Sequence, residues 1–138
     1  MLSFQRILKG LIHRNTPAAE VQEPRTKPSW QEIVEIMYDK GLSFCDEIVS
    51  VTYSENKENR VVITKSKGGY YKYVIEQIME YDDSEWFYVS RFPDCLPGEW
   101  ISLGNSGFSF FGTEEEAWNE IRNDPYFKLY FEKDVNKV

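Results

Sequence analysis

A change of hydrophobic period near Phe44, reversed near Thr113, limits what this chain can fold into more than any other feature. Before it, Trp30, Ile33, Val34 and Met37 recur at helical spacing, Ser29 with Glu32 forms a capping box, and Gly41 stands where a C′ glycine ends a helix. The spacing predicts a helix over about 29–40. After it, the segments 47–54, 60–66 and 70–76 are rich in Val, Ile, Thr and Tyr. They are separated by the polar run 55–59 and by Lys67-Gly68-Gly69, a hairpin signal, so three consecutive antiparallel strands are expected. Further along, EWFYVSRF (85–92) reads as a fourth strand, EWISL (99–103) as a fifth and FSFF (108–111) as a short sixth. Pro93, Pro97 and the stretch 104–107 mark the breaks.

The helical period returns with Thr113 and Glu116, a second capping box that opens a helix through Ala117, Trp118 and Ile121. Asp124 then caps a further helical turn begun by Pro125. Strands in one run, enclosed by helices, indicate an α+β domain. The expected form is an antiparallel meander of about five or six strands, with an N-terminal helix and one or two C-terminal helices packed on one face. A length of 138 residues fits one such domain. Nine Phe, nine Tyr and four Trp supply the large apolar areas that its core needs.

The body of the domain is expected to span 29–138, and residues 1–28 read as separate from it. Phe4, Ile7, Leu8, Leu11 and Ile12 lie at helical spacing, with Arg6, Lys9, His13 and Arg14 for a polar face, which predicts a short amphipathic helix. Pro17, Pro24 and Pro28, with no apolar period between them, predict a linker or arm. Such a helix docks on a membrane surface or partner, packs on its own domain, or frays in solution, because isolated helices this short are marginal in water.

Charge narrows the class of partner. The chain sums to −7, but residues 1–28 carry five basic and two acidic groups and sum to +3. The remainder carries 11 basic and 21 acidic groups and sums to −10. That body repels phosphate backbones, which argues against nucleic acid, and its acidic surplus either serves solubility alone or draws in a basic partner. Cys45 and Cys95 match neither a CxxC nor a metal-ligand spacing and are expected as reduced thiols. No apolar run is long enough for a membrane helix, and Arg6, Lys9 and Gly10 interrupt any signal-peptide core, so a cytoplasmic location is expected.

Catalytic chemistry is poorly supplied. The single histidine, His13, falls outside the expected body, which removes the usual proton shuttle. Gly104-Asn105-Ser106-Gly107 is one residue short of a nucleophile elbow, and neither it nor Gly68-Gly69 forms a phosphate cradle. Glu80, Asp82, Asp83 and Glu85 crowd around Tyr81 and Trp86. Such a group could hold a divalent cation or raise its own pKa values, yet its spacing is not that of an EF-hand. A solvated acidic turn or a docking surface for basic side chains are the other readings. No catalytic residue, metal site or cofactor is expected.

The stretches MYDKGLSFCDEIV (37–49), KGGYYKY (67–73), LPGEW (96–100) and FFGTEEEAWNEIRNDPYFKLYF (110–131) together resemble a family of small bacterial immunity proteins of polymorphic toxin systems, and within it the group called immunity protein 59. The similarity runs from about Trp30 to Phe131, in order and wording rather than in a catalytic signature, and leaves residues 1–28 outside. It implies a non-enzymatic inhibitor that binds a cognate toxin made by the same cell and blocks its active site or an essential surface. An acidic, aromatic-rich body suits a basic toxin. The expected contact regions are the 77–85 and 96–107 loops, with Asp82, Asp83, Glu85 and Glu99 giving charge complementarity and Tyr81 and Trp100 giving buried anchors. The competing readings are an adaptor domain docking through its N-terminal helix, and a metal-assisted enzyme using Glu80, Asp82, Asp83 and Glu85.

Overall fold

The computed structural model describes residues 21–104 and 109–132. Among them run, in order, α1 (Trp30–Met37), β1 (Glu47–Tyr53), β2 (Asn59–Lys65), β3 (Tyr71–Glu80), α2 (Asp83–Val89), β4 (Gly98–Leu103), α3 (Glu114–Asn123) and α4 (Pro125–Tyr130). The strands form one sheet in sequence order, with β2 antiparallel to both β1 and β3. The class is α+β, as the strand patterning indicates. The sheet has four strands, however, and not the expected five or six.

Two expected strands account for the difference. Residues 85–92 carry strand-favouring side chains, but Asp83–Val89 is a helix and not the expected fourth strand, because Asp82 and Glu85 form a complete capping box that starts one. Of the expected sixth strand, Phe108 lies outside the described residues and Phe111 makes only an isolated bridge with Tyr71. The amphipathic helix expected in the first fourteen residues also lies outside them. The expected helix at 29–40 is present as α1, where Ser29 Oγ accepts from Glu32 N–H and the Glu32 carboxylate accepts from Ser29 N–H, both at 3.2 Å. No helix among the described residues is long and apolar enough to cross a membrane.

The chain divides into two compact units: described residues up to Met37 with Glu80–Glu99, and Tyr38–Met79 with the described residues from Trp100 onward. The core of the second unit follows from strand alternation. Val61 and Ile63 of β2 stand opposite Ile75 and Tyr73 of β3, so all four share one face. Ile121 of α3 joins them, with Leu103, Phe111, Trp118, Phe127 and Phe131 packed around. Full burial of Ile121 alone contributes about 1.5–3 kcal/mol. The Tyr73 hydroxyl donates to Asp124 Oδ2 at 2.8 Å, while Asp124 Oδ1 accepts from Tyr126 N–H at 2.9 Å. One carboxylate thus caps α4 and receives the core tyrosine. Burial, followed by that carboxylate, holds the Tyr73 phenol well above its usual range.

The opposite face of the same strands is organised by Arg60, whose side chain is fully buried. Its Nε donates to Glu76 Oε1 at 2.7 Å, its Nη1 to the Lys40 carbonyl at 2.7 Å, and its Nη2 to the Gly41 carbonyl at 3.3 Å. The guanidinium carbon lies 4.0 Å from the centre of the Trp100 ring. Gly41 has φ +66°, and a Cβ there would stand 3.3 Å from Trp100 Cδ1. The left-handed backbone and the close approach both favour glycine. At the sheet edge, β1 carries a bulge: Ile48 pairs with Thr64 and Ser50 with Ile63, which leaves Val49 unpaired.

Candidate functional site

The most densely connected surface feature belongs to the first unit and is built on α2. Its helix start is specified locally. Asp82 Oδ1 accepts from Glu85 N–H at 2.7 Å and from the Ser84 hydroxyl at 2.9 Å, and Glu85 Oε1 accepts from Asp82 N–H at 3.1 Å. The Glu85 N–H, then the Ser84 hydroxyl, hold the Asp82 carboxyl below its ordinary range. Trp86, Val89 and Ser90, at helical spacing, are buried, and Trp86 and Val89 pack with Tyr81. Asp83 and Phe87, four residues apart, share the exposed stripe.

Residues 22–28 lie along this helix. The backbone N–H of Gln22 donates to the Arg91 carbonyl at 2.6 Å, and Arg91 Nε donates to the Gln22 carbonyl at 3.4 Å. Arg25 N–H donates to Ser90 Oγ at 3.1 Å, its Nε to the Ser90 carbonyl at 2.9 Å, and its Nη2 to the Phe92 carbonyl at 3.2 Å and to Cys95 Sγ at 2.9 Å. The Trp86 indole N–H in turn donates to the Arg25 carbonyl at 2.9 Å, and the guanidinium lies 5.6 Å from the Trp86 ring centre. Lys27 Nζ sits 3.3 Å from Glu80 Oε2 and 3.4 Å from Asp83 Oδ1. Burial opposes the Lys27 charge, but hydrogen bonds and attraction from Glu80 and Asp83 outweigh it, so its pKa is raised. The described part of the expected linker or arm is therefore fixed to the domain.

Five of the six residues expected at a contact surface fall in the first unit: Tyr81, Asp82, Asp83, Glu85 and Glu99. Their roles differ. Tyr81 is buried, and its hydroxyl donates to Glu99 Oε1 at 3.4 Å. Burial and then the Glu99 charge raise its pKa well above the usual phenol range. Asp82 and Glu85 are the cap of α2, and Asp83 projects outward with its side chain 97% exposed. Trp100 belongs to the second unit, against Arg60.

The four-carboxylate group does not converge. Asp82 and Glu85 serve the helix start, Glu80 and Asp83 flank Lys27, and no three His, Cys, Asp or Glu side chains among the described residues are placed to hold a metal ion. Sequence reasoning missed Arg25, Lys27 and Ser90 as partners and Phe87 as an exposed ring. The missed signal was Asp82-Ser84-Glu85, a capping pattern of the kind recognised at Ser29 and Thr113.

The second unit holds a cavity of about 230 Å³ lined by Phe44, Cys45, Asp46, Thr64, Lys72 and Val74, with Tyr73 beside them. Lys72 Nζ is neutralised there by Asp46 Oδ2 at 3.2 Å. No family model, no curated protein and no solved structure matches the chain.

Proposed function

We propose that the protein is an immunity protein that neutralises a cognate toxin in the cytoplasm by binding it, and that it carries out no reaction of its own. The observation that carries this reading is the outer stripe of α2. The Asp83 side chain is 97% exposed, and Phe87, one helical turn on, is 62% exposed. A carboxylate beside an uncovered ring is the pairing a protein interface uses, the acid for orientation and encounter rate, the ring for contact area lost from water. Asp82 and Glu85 support this stripe from behind by holding the helix start. The −10 charge of residues 29–138 favours a basic toxin, whose own substrate-binding charges would be drawn to it. The sequence resemblance to polymorphic-toxin immunity proteins points the same way.

The test is to mix the protein with the product of an adjacent toxin-like gene, measure complex formation by calorimetry and score growth when both are expressed. A complex at micromolar concentration or tighter and rescued growth are expected. Asp83→Lys and Phe87→Ala should each weaken the complex by about tenfold or more, Phe87→Ala while melting like the parent and Asp83→Lys while keeping a cooperative melt at a somewhat lower temperature, since it faces Lys27. No complex at micromolar concentration together with no rescue would overturn the reading.

A further inference from the structure

Residues 22–28 hold to α2 in the manner of a bound peptide. They run antiparallel to the helix: Gln22 lies by Arg91, Arg25 by Ser90 and Trp86, and Lys27 by Asp83 and Glu80. The sequence prepares this segment for docking. Pro24 and Pro28 restrict their own φ and bias Glu23 and Lys27, the residues before them, towards extended backbone. An extended chain directs residues two apart to one side, which suits Arg25 and Lys27 to a common surface. Little conformational freedom remains to be lost when such a segment binds.

The surface reads that segment by chemistry. A guanidinium is met by two carbonyls and a sulfur, those of Ser90, Phe92 and Cys95, just beyond the end of α2 where carbonyls lack helical partners. The backbone carbonyl of the same residue is met by the Trp86 indole, and an ammonium two residues on by two carboxylates. An indole donating to the carbonyl of a proline-flanked peptide, with acids for its basic side chains, is the chemistry by which aromatic grooves bind such peptides. Trp86 lies on the capped helix, Ser90 closes it and Phe92 and Cys95 follow, while Trp86, Val89 and Cys95 pack with Tyr81, so this surface has a cluster of its own that does not include the segment.

We propose that the surface formed by Glu80, by Asp83 and Trp86 of α2, and by Ser90 and Cys95 beyond its end is a receptor for an extended basic peptide of the form Pro-Arg-X-Lys-Pro, that residues 24–28 occupy it in cis, and that such a segment of a partner protein exchanges with them. The inference holds whether or not the partner is a toxin. A tethered occupant is present at an effective concentration of about millimolar, so it competes strongly with any peptide in solution.

The test uses the full chain and a fluorescent peptide of sequence VQEPRTKPS, read by anisotropy. In the variant Arg25→Ala/Lys27→Ala the tether is loosened, and the peptide should bind saturably and at least about tenfold tighter than to the parent chain. Asp83→Lys in the loosened chain should weaken the peptide, and a peptide carrying glutamate in place of its lysine should recover the loss. If the double variant does not show a cooperative melt, Lys27→Ala alone serves with the same readings. No saturable binding to a folded loosened chain, or equal binding of a scrambled peptide, would overturn the proposal. Toxin binding is measured separately, so peptide capture without a toxin complex would sink only the immunity reading.

Discussion

Arg60 and Glu76 stand opposite each other on β2 and β3 and join at 2.7 Å, with side-chain exposures of 0% and 9%. An ion pair so far from water is weak support for stability as a pair, since desolvating both charges offsets most of their attraction. Its two halves are nevertheless mutually obligatory. Arg60→Met leaves a buried carboxylate alone and strips donors from the Lys40 and Gly41 carbonyls, and should cost about 3–5 kcal/mol in urea denaturation. Arg60→Met/Glu76→Leu should recover most of that loss. A double variant no more stable than the single one would show that the carboxylate is not the source of the cost.

The connection after α1 depends on a second residue in the same neighbourhood. Gly41→Ala forces a side chain onto a φ of +66° and places its Cβ 3.3 Å from Trp100 Cδ1. A loss of about 1 kcal/mol or more is expected in chemical denaturation, with Trp fluorescence reporting the displaced ring.

The helix that bears the candidate site should respond to acid through its cap. Asp82 titrates below its ordinary value of 3.8 when folded, so its contribution is complete above that value and is lost as pH falls through the lower, folded one. Lys27, raised above 10.5, works in the other window: its contribution is complete below 10.5 and is lost as pH rises through the folded value. Asp82→Asn keeps a capping oxygen but does not titrate, so it should melt near the parent at neutral pH and show a shallower decline on acidification. Asp82→Ala should lower the melting temperature at neutral pH by a few degrees. Identical acid profiles for parent and Asp82→Asn would refute this assignment.

Tyr73→Phe removes one hydroxyl from the second core without removing the α4 cap, because Asp124 Oδ1 still accepts from Tyr126 N–H. A loss of about 0.5–1.5 kcal/mol is expected. Ile121→Ala, at 0% exposure in the same core, should cost about 2–5 kcal/mol, and a reversed ranking in urea denaturation would contradict the core described here.

Strands β1 to β3 were legible because their β-branched runs and turn residues agree, and the caps at Ser29, Thr113 and Asp124 were legible because each precedes an apolar helical stripe. The segment 85–92 was not, because its Trp, Phe, Tyr and Val favour strands one residue at a time. The Asp82–Glu85 box outweighs those preferences, and a burial pattern of Trp86, Val89 and Ser90 has the helical period that composition hides. The contacts of 22–28 were illegible for another reason. They join groups more than fifty residues apart, and a proline-rich basic stretch looks alike bound or free. Arg60 had no signal either, since a strand pattern does not say which charged residue lies on a covered face.

The surplus residue in β1 also bears on how molecules of this protein meet one another. β1 is an outermost strand, and a regular row of its backbone donors and acceptors would be a template for a neighbour's strand. Val49 interrupts that row. A neighbour's strand laid along this border would meet a bend instead of a straight ladder, which disfavours fibril growth through it.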